Sequence, residues 1–160
     1  MAYTTINKPN TQMNTVLYTG NGGTQSITGV GFQPDWTWLK ARNEAASHEL
    51  FDANRGVTKT INSNTNNAEA TQTDSLTAFG SDGFTLGSNG DINYNNSTYV
   101  GWNWKAGGTA STNTDGSIDS QVSVNTDAGF SIVKYTAPSG VSTIGHGLGV
   151  VPNVIMLKVL

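Results

Sequence analysis

Apolar side chains along this chain recur with a period of two, in short runs closed by Gly, Asn, Asp or Pro. That period is the signature of strands, whose successive side chains point to opposite faces. The organising stretch is Gly83–Gly108. Its first run, Gly83–Gly87, places Phe84 and Leu86 on one face. Ser88-Asn-Gly-Asp91 follows as a turn, since Asn and Gly accept positive φ at little cost. In Tyr99–Lys105, Val100, Trp102 and Trp104 share one face and Gly101, Asn103 and Lys105 the other, and Gly107-Gly108 ends the run. Upstream, Val16-Leu-Tyr18 opens a strand, Gly20–Gly23 is a turn, and Gln25–Val30 is expected to pair back on it as a hairpin. Asp35–Lys40 is the next strand, with Trp36 and Trp38 facing one way and Thr37 and Leu39 the other. Glu49–Asp52 and Lys59–Asn62 are short strand candidates. Ser75–Phe79 and Gly83–Leu86 flank Gly80-Ser-Asp-Gly83, a hairpin signal. Turn signals about 8–12 residues apart point to an all-β sandwich or jelly roll.

The pattern then starts again. Val16-Leu-Tyr-Thr19 is matched by Val133-Lys-Tyr-Thr136, and Gly31–Lys40 by Gly149–Lys158, at offsets of 117 and 118 residues. Val154 and Met156 stand where Trp36 and Trp38 stand in the first copy. The expected organisation is an arm over residues 1–12, a β-sandwich over 13–108, a linker over 109–127 in which Ser120–Val124 alternates like a strand, and an incomplete second β module over 128–160. Asn153–Leu160 reads as a strand apolar on both faces, a pattern that belongs to a covered, central strand. The second copy is therefore expected to be completed by a longer protein or by another chain, and Phe130–Leu160 to pack on its own first module or on a neighbour in a homo-oligomer.

Composition narrows the chemistry. Charged residues make up 12% of the 160-residue chain, against about 25% usually, and Thr, Val and the aromatics favour strands. The net charge of −3 with no basic run argues against nucleic acid. No apolar run reaches the roughly 18–20 residues of a membrane helix. There is no cysteine, hence no disulfide framework, thiolate nucleophile or cysteine metal site.

Trp36, Trp38, Phe84, Trp102 and Trp104 are read as core, since a sugar-stacking platform would not survive the exchange of Trp36 and Trp38 for Val and Met in the repeat. His48-Glu-Leu-Phe-Asp52, with Arg42, Glu44 and Arg55, is the one charge-dense patch. It reads as a salt-bridged surface loop or a small internal network, because no second His lies in the same module and no nucleophile elbow is present. His146, among glycines, reads as a turn residue or a chain-to-chain hydrogen bond rather than a metal ligand. Asp82-Gly, Asn89-Gly-Asp91 and Asp115-Gly read as turns without the spacing of a calcium loop. No catalytic residue, metal ligand or cofactor is expected. The Asn-rich loops supply the candidate partner or glycan contacts: Asn64, Asn66, Tyr94, Asn95 and Tyr99.

Six phrases in this order, Met1–Pro9, Ile27–Trp36, Leu50–Gly56, Asp82–Gly87, Trp102–Gly108 and His146–Gly149, resemble a family of repeat-containing virion proteins of tailed bacteriophages. Such proteins are most familiar from phages of marine cyanobacteria and other marine bacteria. The resemblance spans essentially the whole chain. It implies a lectin-like β-sandwich in a fibre, appendage or capsid-surface protein located in the virion, and hands over no catalytic residues. On that reading Tyr3, Ile6 and Pro9 belong to an arm anchoring the chain to the particle. The partners are other virion proteins and further copies of the chain, a trimer if it is a fibre. A carbohydrate-binding module for host surface polysaccharide is the alternative.

Overall fold

The period-two runs fold as strands throughout. The structure, a computed structural model, describes residues 6–160. Its strands are β1 (Met13–Thr19), β2 (Gln25–Thr28), β3 (Trp36–Ala41), β4 (Glu49–Asp52), β5 (Lys59–Asn62), β6 (Ala70–Thr71), β7 (Leu76–Gly80), β8 (Gly83–Leu86), β9 (Thr98–Trp104), β10 (Ser111–Asn113), β11 (Ser120–Asn125) and β12 (Phe130–Tyr135). A single turn of 3₁₀ helix (Pro9–Thr11) and a four-residue helix, α1 (Gly90–Asn93), are the described helical elements. Of the arm, Ile6 and Pro9 are described and Tyr3 lies outside the described residues.

Three antiparallel sheets result, in the orders β1-β9-β3-β4-β5-β6, β2-β8-β7 and β10-β11-β12. The first two form the sandwich. Val16, Leu39 and Phe51 of the large sheet meet Ile27, Leu76, Phe84 and Leu86 of the small one, with Val30, Phe32 and Ile92 from the connections. The hairpin across Gly80–Gly83 forms as expected. The one expected between Val16–Tyr18 and Gln25–Val30 does not: β1 pairs with β9 over seven residues, and β2 pairs with β8 in the other sheet. The stretch read as a linker over 109–127 holds β10 and β11, so the second unit is a three-stranded sheet over 111–135.

The alternation of β3 and β9 holds, but the faces are exchanged relative to the expectation. Phe84 is core, 2% exposed, whereas Trp36, Trp38, Trp102 and Trp104 are half-buried on the outer face of the large sheet. Thr37, Leu39 and Ala41 of β3, with Tyr99, Gly101 and Asn103 of β9, turn inward instead. Gly101 gives the physical reason. A Cβ there would lie 3.0 Å from Leu39 Cδ2 and 3.5 Å from Phe84 Cζ. Leu39, Val16 and Phe84 crowd the inner face so closely at this point that β9 carries no side chain there, and the bulky indoles take the other side. The buried polar pair is satisfied: Thr37 donates to Asn103 Oδ1 at 3.0 Å, and Asn103 Nδ2 donates to the carbonyls of Gly101 and Asn14 at 3.1 and 3.3 Å.

Candidate interaction surfaces

The outer tryptophans make one aromatic surface. Trp36 lies 4.5 Å from Trp104 and 6.0 Å from Trp38 between ring centres, and Trp38 meets Trp102 edge-on at 5.9 Å. The strand pairing brings them together, since β3 and β9 set Trp36 opposite Trp104 and Trp38 opposite Trp102. One end of this surface is covered by the second sheet. Phe130, at the start of β12, stacks on Trp36 at 5.7 Å and on Trp104 at 6.3 Å. Around it Gly107 N–H donates to Ser123 Oγ (3.0 Å), Ser123 Oγ donates to the Gly108 carbonyl (2.7 Å), and Asn125 Nδ2 donates to Gln12 Oε1 (2.7 Å) and to the Lys105 carbonyl (3.2 Å). Gly107 admits no side chain, because a Cβ would collide with the Val124 carbonyl oxygen. Phe130→Ala should uncover Trp36 and Trp104, shift tryptophan emission to the red and destabilise the β10-β11-β12 sheet by about 1–2 kcal/mol. Unchanged emission would show that the stacking is not kept in solution.

The charge-dense patch splits between the two faces of β4. Glu49 points inward, is buried, and accepts from Thr60 Oγ1 and from Asn62 Nδ2 (2.7 Å). Burial raises its pKa, against the lowering effect of these two hydrogen bonds. Asp52 takes Arg55 Nε at 2.5 Å and the Arg55 backbone N–H at 2.8 Å. Arg55 Nη1 reaches Glu69 at 3.2 Å, and its Nη2 donates to the Leu50 carbonyl at 3.1 Å. Asp52, Arg55 and Glu69 thus form a small ion-pair network, whereas Glu49 is held by the neutral groups of Thr60 and Asn62 and Arg42 is exposed.

His48 accepts the Trp38 indole N–H on Nδ1 at 3.0 Å, which requires a neutral ring. Burial, and secondarily the charge of Lys40, lower its pKa below 6.5. A depressed folded-state pKa of a base gives stability that is complete above the unfolded value and lost as pH falls through the folded value. Thermal midpoints should therefore drop, and Trp38 emission change, as pH is lowered from 7.5 to 5. His48→Gln, which keeps an acceptor without titrating, should flatten both responses. An equal response in that variant would remove His48 as the cause.

The loop candidates separate. Tyr94 (59% exposed), Asn95, Asn64 and Asn66 lie at the surface. Tyr94 and Asn95 follow α1, near the Gly20–Gly23 turn, where Gly22 faces the Asn95 side chain. Asn64 sits apart from them in the β5–β6 loop, accepting the His48 N–H at 3.0 Å. Tyr99 is no surface contact. It is 1% exposed, stacks on Tyr18 at 5.0 Å, accepts the Tyr94 N–H at 2.9 Å and donates to the Gly90 carbonyl at 3.2 Å. Its place in β9 rather than in a loop explains this. His146 serves its turn, accepting the Leu148 N–H at 3.1 Å. Among the described residues no group of three or more His, Asp or Glu is placed to hold a metal ion, and no helix is long and apolar enough to cross a membrane.

Asn153–Leu160, expected as a strand, joins no sheet. Val150, Val151, Val154, Ile155, Met156, Leu157, Val159 and Leu160 are exposed, Ile155 by 77% and Val154 by 82%. In the first copy the matching strand, β3, lies between β9 and β4. Both come later in the first copy than β3, so residues 128–160 hold no counterpart of either ladder partner. Lys158 ties the segment down, its Nζ donating to the Thr65 carbonyl at 2.7 Å.

These features define an all-β sandwich with a second antiparallel sheet docked on its aromatic outer face. The chain belongs to the family described as "Domain of unknown function (DUF7483)", whose model matches residues 8–160. No curated protein and no solved structure matches it.

Proposed function

We propose that the chain is a structural virion protein of a tailed bacteriophage, part of an external fibre or appendage. Its N-terminal segment attaches to the particle, and its β modules project outward toward the host. The observation that carries this reading is the sequence repeat together with a second sheet, ending in β12 at the start of the second copy, docked on the first module. The second sheet is stitched to the first through Phe130 and Ser123, and it leaves an apolar segment at residues 150–160 available for assembly. The phrase-by-phrase likeness to repeat-containing virion proteins supplies the biological setting, and homo-oligomers, trimers in a fibre, suit it. Mass spectrometry and cryo-EM of purified particles test it. The chain is expected among the virion proteins, and its absence from intact particles overturns the reading.

A second reading, recognition of host surface polysaccharide, is favoured by the exposed Tyr94 ring beside Asn95 at one end of the sandwich. Aromatic faces and amide side chains are suited to sugar rings and hydroxyls. A glycan array with the intact chain should give signals that Tyr94→Ala abolishes. A flat array, with calcium present, would dismiss this reading.

A further inference from the structure

Phe130 takes up Trp36 and Trp104 at one end of the outer face of the large sheet. The other end holds Trp38 and Trp102, half-buried and set opposite each other across β3 and β9. Lys40 lies opposite Val100 in the next row, about 7 Å along the strands. Leu17, opposite Val100 on β1 and 64% exposed, shows that this end meets solvent. Strand parity gives the charges of the face. On the outward positions of the six strands the cations are Lys40 and Lys59, and the one carboxylate, Asp52, is taken by Arg55. The strands of the small sheet carry no charged residue, and Asp74, Asp82 and Asp91 lie in its connections. A chain of net charge −3 thus presents one face that is aromatic and cationic.

Two donors border the rings. Lys40 Nζ donates to the carbonyls of Ala41 (2.7 Å) and Glu44 (3.2 Å), which leaves one of its three N–H groups. Neither partner is a carboxylate, and the Glu44 carboxylate accepts from Ser97 Oγ. Among the described residues the ion pairs are those of Arg55, so the Lys40 charge is not neutralised by one. Beside Trp38, His48 holds the indole N–H on Nδ1, so its neutral ring carries the proton on Nε2 and donates from there. Indole faces suit the C–H side of a sugar ring, and an ammonium bordering them suits an anionic group on that ring.

We propose that the surface formed by Trp38, Trp102, Lys40 and His48 binds an acidic polysaccharide, one whose sugar rings carry carboxylates. A ring lies against the indoles and its carboxylate meets Lys40. This rests on the polysaccharide reading above for its class of partner, but acts through residues other than Tyr94, so the two assignments can fail separately.

Isothermal titration of the intact chain with polygalacturonate, against neutral dextran, tests it. Polygalacturonate should bind, more weakly as salt rises, and dextran should not. Lys40→Gln should weaken binding about fivefold and flatten the salt dependence. Trp102→Ala should weaken it about tenfold or more, and Trp102→Phe, which keeps a ring, by less. An unchanged urea midpoint in Lys40→Gln would show that a contact and not the fold was lost. Tyr94→Ala should leave this binding as it is. The proposal is overturned if dextran binds as tightly, if polythymidylate binds as tightly, or if Lys40→Gln binds like the unmodified chain. Binding lost in Tyr94→Ala and kept in the Trp102 and Lys40 variants overturns it while leaving the polysaccharide reading standing. Absence of binding to acidic and neutral glycans alike overturns both.

Discussion

Phe84→Ala is expected to destabilise the chain by about 3–5 kcal/mol, the usual cost of removing a fully buried ring whose cavity collapses only in part. Phe84 is 2% exposed, its tip is the neighbour nearest Gly101 across the sandwich, and Tyr18 meets its ring edge-on at 6.4 Å. Total stabilities of domains this size are about 5–15 kcal/mol, so the loss should move the urea midpoint by a large fraction of its value. Phe79, on the neighbouring strand β7 and only partly buried, is the internal comparison. Phe79→Ala should cost less than half as much. Equal losses at the two positions would mean that the contact between the sheets is not the centre of the core.

Arg55→Ala is the second large effect, again about 3–5 kcal/mol, because it strands Asp52 as a buried charge without its partner. The side chains of Arg55 and Asp52 are 5% and 9% exposed, and the guanidinium also holds Glu69 and the Leu50 carbonyl. An exposed pair of the same kind would contribute only about 0–1 kcal/mol. Adding Asp52→Asn to Arg55→Ala should therefore recover part of the loss, since it removes the stranded charge. A cost below about 1 kcal/mol for Arg55→Ala alone would assign the pair to the solvated class. The two substitutions act on opposite faces of the large sheet, so their effects should add when combined.

The strands were legible because the period of two is a local property of a run such as Tyr99–Trp104. Which face of that run turns inward is not local. The size of the indoles argues for the core, yet the decisive residue is Gly101, a glycine in the interior of a strand, which marks a close approach of another element. Read that way, Gly101 and the small Thr37 would have pointed to the correct inner face. The Thr37–Asn103 hydrogen bond that permits polar groups there appears only once β3 and β9 are paired. Pairing itself was the least legible part. Val16 finds Gly101, far along the chain, rather than its neighbour Ile27, which belongs to the other sheet. Residues 109–127 read as a linker because polar Ser, Thr and Asn dominate them, although Ser120–Val124 alternates like a strand; Val122 is buried and the sheet is completed by β12. Of the loop candidates Tyr94, Asn95, Asn64 and Asn66 lie at the surface, whereas Tyr99, which opens the alternating run Tyr99–Lys105, turns inward with the alternate residues Gly101 and Asn103.

The absence of room at Gly107 has a mechanical consequence. Residues 105–110 connect the two units, and four hydrogen bonds hold that connection: three to Ser123 and Asn125 of β11 and one from the Lys105 N–H to the Gln12 carbonyl. With the Gly107 backbone pressed against Val124, the connection has no slack to swivel. Torque applied to the second sheet passes into the tryptophan face instead of being absorbed as bending between the units.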